Sequence, residues 1–224
     1  MVKGRCFVGI VPLIILLAHL VVLPQKRNTT GVSLSFRIVE PLFTHPGEIG
    51  VQWRDGEAST YVIRWNNHSE VYKYSIVGRK TSNRTVYYWI EMLGKFENGE
   101  EITVLILVPM GSLFFGDAKK ILAVTQFGIL PLEAGPDYRV APRYAIKRIG
   151  HAVIETEAGQ FPSDHLRVTY TDGRVDDLWI NTDVGPQGIT KAIIRERGQP
   201  EKVVLLKRHN ASGAKPTFPH LLSQ

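Results

Sequence analysis

Residues 85–93 read T-V-Y-Y-W-I-E-M-L and residues 101–108 read E-I-T-V-L-I-L-V. Side chains alternate sides every residue along a strand, and both stretches are rich in β-branched and aromatic residues. In the first, Val86, Tyr88, Ile90 and Met92 share one face, opposite Tyr87, Trp89 and Glu91. The second is apolar on both faces, with Ile102, Val104, Ile106 and Val108 opposite Leu105 and Leu107, so something must cover both sides of it. Its cover is a helix, a second layer or an apolar cavity.

Outward from these two stretches the period stays at two. Strands are expected at Val32–Val39, Ile49–Arg54, Thr60–Trp65, Glu70–Val77, Ile121–Phe127, His151–Glu157, His165–Tyr170, Val175–Asn181, Ile189–Arg195 and Val203–Arg208. The tetrapeptides Trp65-Asn66-Asn67-His68 and Thr171-Asp172-Gly173-Arg174 carry hairpin chemistry, because Asn, Asp and Gly tolerate positive φ. Helix signals are few: Asp117 is placed to cap a short turn over Ala118–Val124, and Pro136 and Pro142 cut the segment Glu133–Lys147. The expected fold is mainly β, a single curved antiparallel sheet with few short helices.

Ahead of the sheet, Cys6–Leu23 is an uncharged aliphatic run preceded by Lys3 and Arg5. That is the layout of a signal sequence, and as a helix the run reaches about 27 Å, close to the thickness of a hydrocarbon core. Residues 1–27 are therefore read as a signal peptide or signal anchor forming one N-terminal apolar helix, and 28–224 as one extracytoplasmic β domain. Cys6, the single cysteine, precedes the apolar run rather than following it, so it is not placed as a lipoprotein cysteine, and no disulfide forms within the chain.

The net charge of +6 first suggests a nucleic-acid partner, but its distribution argues against one. Lys3, Arg5, Lys26 and Arg27 account for four of those charges, and residues 191–224 add a local +5 that leaves −3 on 28–190. No basic stripe runs through the fold. The basic C-terminal stretch, with Arg195, Arg197, Lys202, Lys207 and Arg208, suits a solubilising surface or anionic headgroups.

Motifs for catalysis are missing: there is no G-x-S-x-G elbow, Walker A loop, G-x-G-x-x-G turn, H-E-x-x-H helix or paired C-x-x-C. The best polar constellation is His151, Asp164, His165, Asp172, Asp176 and Asp177. Asp172 sits in a D-G turn, and Asp176 and Asp177 point to opposite faces of one strand, so turn and surface roles explain them without catalysis. No catalytic residue, cofactor or metal is assigned. Sequons at Asn28, Asn67, Asn83 and Asn210 matter only in a eukaryotic secretory protein.

Residues 150–170 (G-H-A-V-I-E-T-E-A-G-Q-F-P-S-D-H-L-R-V-T-Y), then D-G-R-V-D-D-L-W-I and V-G-P-Q-G-I-T-K, with Tyr88-Trp89-Ile90-Glu91 and Val104–Pro109 earlier, resemble a pattern in uncharacterised bacterial exported proteins. Those proteins are similar in architecture to the lipoprotein-localisation factors LolA and LolB. The resemblance implies a half-barrel over an apolar cavity for acyl chains. Ser163 and Asp164 stand where that family often has a cysteine before the histidine.

The leading functional expectation is non-enzymatic binding of a lipid, acyl chain or lipoprotein in the periplasm or on the outer face. Tyr72, Tyr74, Tyr88, Ile90, Met92, Val104 and Ile106 would form the apolar ligand face. Two alternatives stand beside it: a membrane-tethered envelope module that binds a protein partner, and a metal-dependent hydrolase built on His151 and His165.

Overall fold

A computed structural model describes residues 41–95, 101–125, 128–133 and 143–223 of the 224-residue chain. The expected N-terminal helix and the strand at 32–39 lie outside the described residues. Among the described residues, eleven strands form one antiparallel sheet: β1 (Ala58–Trp65), β2 (His68–Ser82), β3 (Thr85–Lys95), β4 (Glu101–Pro109), β5 (Lys120–Thr125), β6 (Gly128–Leu132), β7 (Tyr144–Thr156), β8 (Gly159–Tyr170), β9 (Val175–Ile180), β10 (Ile189–Arg195) and β11 (Lys202–Asn210). Their spatial order is β6-β5-β4-β3-β2-β1-β11-β10-β9-β8-β7. Two meanders are thus joined where β1 pairs with β11, and among the described residues β6 and β7 are the edges.

Turn chemistry sets the registers. Trp65 pairs with His68 across Asn66-Asn67, and Asn66 takes φ 49° as the two-residue loop requires. In the β8–β9 turn Gly173 has φ 90° and the Asp172 carboxylate accepts a 2.9 Å hydrogen bond from the backbone N–H of Arg174. Two expectations are corrected. Ile49–Arg54 is not a strand: a 3₁₀ turn spans Pro46–Ile49, and irregular chain follows it with Val51 and Trp53 buried. The capped turn over Ala118–Val124 gives way to β5, after a short 3₁₀ turn at Phe115–Asp117.

The inner face of the sheet carries the main core, in cross-strand rows. Ile76, Ile90, Ile106 and Ile121 are consecutive partners across β2–β5, and Tyr74, Met92, Val104 and Ala123 form the next row. Between them these eight side chains are at most 4% exposed. The segment before β1 packs against this face through Leu42, Phe43, Val51 and Trp53. Backbone contacts fix its path: Leu113 donates to the Thr44 carbonyl at 2.7 Å, and Gly47 to that of Gly111 at 3.0 Å. A β-carbon on Gly47 would lie 2.9 Å from Gly111 Cα, closer than real Cβ contacts come, so this crossing needs glycine.

Strand β4 has both its faces covered, as its sequence requires. Its inner residues join the main core, while Leu105 and Leu107 belong to a second cluster with Val77, Trp89, Leu122 and Leu221 on the outer face. Leu221, Phe218 and Leu222 come from the C-terminal segment, which is fastened by Glu91 accepting 2.8 Å hydrogen bonds from both the N–H and the hydroxyl of Thr217. Burying a leucine-sized side chain stabilises by about 1.5–3 kcal/mol, so this strap adds to the stability of the first meander.

Candidate functional site

All seven residues expected to form a ligand face lie on the inner face of β2–β4, and none is more than 7% exposed. Their neighbours are protein side chains. Trp53 meets Tyr88 edge-on with ring centroids 5.5 Å apart, Tyr61 meets Tyr74 at 5.8 Å, and the Tyr72 hydroxyl donates to Glu70 at 2.5 Å. The Trp53 indole N–H donates to the Pro186 carbonyl at 2.9 Å, and the Phe43 N–H to the Gln187 side-chain oxygen at 3.2 Å. The covering segment is thereby pinned to the β9–β10 loop. Beneath that loop lies Glu57, 1% exposed, accepting from the Gly185 N–H at 3.1 Å and 3.2 Å from His209 Nε2. Sequence alternation located the inner face; it carried no signal for the segment that covers it.

The polar constellation separates into four places. Asp172 caps its own turn, as described. Asp176 is 0% exposed and held by Arg174 at 2.7 and 2.9 Å; burial pushes its carboxyl above the ordinary range, and Arg174 and the Tyr170 hydroxyl oppose that rise. His151 is exposed and contacts Asp164, which Arg148 also binds at 2.8 and 2.9 Å. His165 sits on the opposite face from His151, since it pairs with Gly150 and its ring stacks on Trp179 with centroids 4.3 Å apart. The two histidines do not converge on one site. Among the described residues no three His, Cys, Asp or Glu side chains are grouped to hold a metal ion.

Asp177 is the most heavily bonded carboxylate of the outer face. It accepts from Arg167 at 2.9 and 3.1 Å, from Arg195 at 2.6 Å, and lies 3.2 Å from His165 Nε2. Burial works to raise its pKa, but the hydrogen bonds from Arg167, Arg195 and His165 outweigh it and hold the carboxyl at about 2. A lowered folded-state pKa means the stabilisation is complete above the unfolded value of 3.8 and is lost as pH falls towards 2. Asp177→Asn is expected to cost about 1–3 kcal/mol at pH 7, discounted because both arginines are part-exposed. Urea titrations at pH 7 and pH 3 check this: the deficit should shrink at the lower pH.

The hairpin β7–β8 has a different character. Of the residues of β7, Ile146, Ile149 and Val153 are 38%, 44% and 65% exposed, and the outer edge of β7 is paired with no strand among the described residues. A bulge at Arg148/Gly150 bends the strand. Its far half curls back to contact β10 and β11, and Glu155 and Glu157 border an open cleft of about 390 Å³ with Val62, Arg64, Leu205 and Lys207. The opposite edge is short, and Pro131 removes a donor from it. Sequence reading placed this strand at 151–157 and missed its first seven residues. Ile146, Lys147, Arg148 and Ile149 give no clean alternation, because the bulge shifts the period.

No family model and no curated protein matches the chain. Among solved structures it is similar to an exported protein with a YmcC-like fold from Bacteroides fragilis, at 8% identity over 71% of this chain and 98% of that one, TM-score 0.43. It is also similar to MucB in the MucA/MucB complex of Pseudomonas aeruginosa, at 16% identity over 74% of this chain and 54% of that one, TM-score 0.40. A lipoprotein from Parabacteroides distasonis aligns at 10% identity over 71% and 97% of the two chains, TM-score 0.38. At such scores the likeness is one of partial chain path.

Proposed function

We propose that this chain is a non-enzymatic extracytoplasmic module, held at a membrane through its N-terminal apolar segment, that recognises a protein partner along β7. The observation that carries this reading is the contrast between its two apolar surfaces. Inside the sheet, apolar side chains are covered by the chain's own Leu42, Phe43, Val51 and Trp53. An acyl chain would have to displace that segment to reach Ile90 or Ile106. On β7, by contrast, Ile146, Ile149 and Val153 stand exposed beside backbone that pairs with no strand among the described residues, which is what an added strand requires.

A photoreactive amino acid at Val153, introduced in intact cells, tests the reading. Side chains at 65% exposure accept such a replacement without repacking, so folding is not at stake. The expected product is a discrete crosslinked protein band. Recovery of lipid adducts alone, with no reproducible protein, would count against a protein partner and favour a lipid carrier instead.

A further inference from the structure

The strap over the outer face of the first meander is fastened at a carboxylate. Glu91 is 4% exposed and lies on that face between Ser75 of β2 and Leu105 of β4, its direct cross-strand partners. No lysine, arginine or histidine among the described residues forms an ion pair with it. Its two oxygens accept instead from the Thr217 N–H and hydroxyl, at 2.8 Å each. Ser75 is 1% exposed, and its hydroxyl has no hydrogen-bond partner among the described residues. A charge without a cation and an idle hydroxyl are both costly under an apolar cover, and a face built only for packing would be more stable with apolar side chains at these two places. The strap fills the apolar part of the face, with Phe218, Leu221 and Leu222 clustered with Trp89, Leu105 and Leu107. It leaves the polar part half matched.

A positive charge at the Thr217 nitrogen would complete the match. A peptide nitrogen gains one without moving when it is the first of its chain: the α-ammonium keeps an N–H for Glu91, adds a unit charge, and brings further donors for neighbours such as Ser75. From this we infer that the outer face of β2–β5 is a docking site for the free N-terminus of another polypeptide, and that the C-terminal strap occupies it in cis. The strap is the template for that partner: a threonine or serine first, an aromatic residue second, and leucines at the fifth and sixth positions, as at 217, 218, 221 and 222. Its attachment suits exchange. Among the described residues it hydrogen-bonds the sheet region only through Ala214, which donates to the Gly56 carbonyl at 2.8 Å, and through Thr217 at Glu91; residues 211–213 before it are exposed. The surface lies on the other meander from β7, so either docking reading can fail without the other.

The probes are the octapeptide T-F-P-H-L-L-S-Q, the sequence of 217–224, with a free and with an acetylated N-terminus and a dye at its C-terminus. The receptor is the full chain in mild detergent, with the strap released by Leu221→Asp, which puts a charge at a position 1% exposed, or more gently by Phe218→Ser with Leu222→Ser. By fluorescence anisotropy the free-amine peptide is expected to bind the released chain roughly tenfold more tightly than the acetylated one, since charge-assisted hydrogen bonds are about twice as strong as neutral ones. The parent chain, whose strap competes, should bind it at least tenfold more weakly than the released chain does. Adding Glu91→Gln to the released chain should erase the difference between the two peptides. Equal affinity for both peptides in the Glu91 chain would overturn recognition of an N-terminus. Absence of binding to a released chain whose inner-row amides, such as Ile90 and Ile106, stay protected from hydrogen exchange would overturn the docking site. Loss of that protection in both release variants would overturn it too, because the strap would then be a fixed part of the fold rather than an occupant.

Discussion

Replacing Arg174 with leucine is expected to destabilise the fold by about 3–5 kcal/mol, the usual cost of stranding one member of a buried ion pair. Asp176 has no exposed surface, and its two oxygens are both taken by Arg174, whose own side chain is 19% exposed. The arginine does more than neutralise. It lies over the Tyr170 ring at 4.9 Å and reaches the Leu42 carbonyl at 3.4 Å, so it ties the β8–β9 turn to the start of the segment that covers the inner face. With leucine in its place, Asp176 faces low-dielectric surroundings without a cation.

The pH dependence distinguishes this account from simple loss of packing. Burial already raises the Asp176 pKa, and removing Arg174 takes away the main opposing influence, so it rises further. A folded state whose carboxyl has the higher pKa binds the proton more readily than the unfolded chain does. Stability of Arg174→Leu relative to the parent should therefore improve as pH falls through that raised value towards the unfolded one. Urea titrations across mildly acidic pH read this directly. A deficit independent of pH would point to lost packing at Tyr170 and Leu42 instead.

The second large effect concerns Ile106, at the middle of the isoleucine row of β2–β5 and 0% exposed. Truncation to alanine should cost about 2–5 kcal/mol, since the neighbouring Ile90 and Ile121 are held by their own strands and relax little into the gap. Enlargement is the more informative change. In a closed core a tryptophan has no room, and overpacking costs about 1–3 kcal/mol or more. In a ligand cavity the same indole would fill empty space at little cost.

How far the sequence led can be judged residue by residue. Alternation at 85–93 and 101–108 gave the right inner face, and the demand that both faces of β4 be covered was met by Phe218, Leu221 and Leu222 from the far end of the chain. Local pattern carried no information about which distant segment would provide that cover. The Asn66-Asn67 and Asp172-Gly173 turns were legible because positive φ narrows the choice of residue. Ile49–Arg54 looked like a strand because its buried Val51 and Trp53 are two residues apart, but Pro46 and the left-handed Gly50, φ 83°, break the backbone there. β6, absent from the expected strands, contains Pro131, a residue that an edge strand tolerates. The seven apolar side chains assigned to a ligand face all lie buried on the inner face. Whether such a face meets a ligand or the chain's own Phe43 and Trp53 depends on long-range packing, which periodicity does not encode.

Thermal unfolding of Ile106→Trp tests the filled inner face most directly. The account predicts a melting temperature lower by several degrees, at about 2–4 °C per kcal/mol for a chain of this size. An unchanged or higher melting temperature would mean that the inner face has space for an indole, and would return the sheet to the role of a ligand carrier.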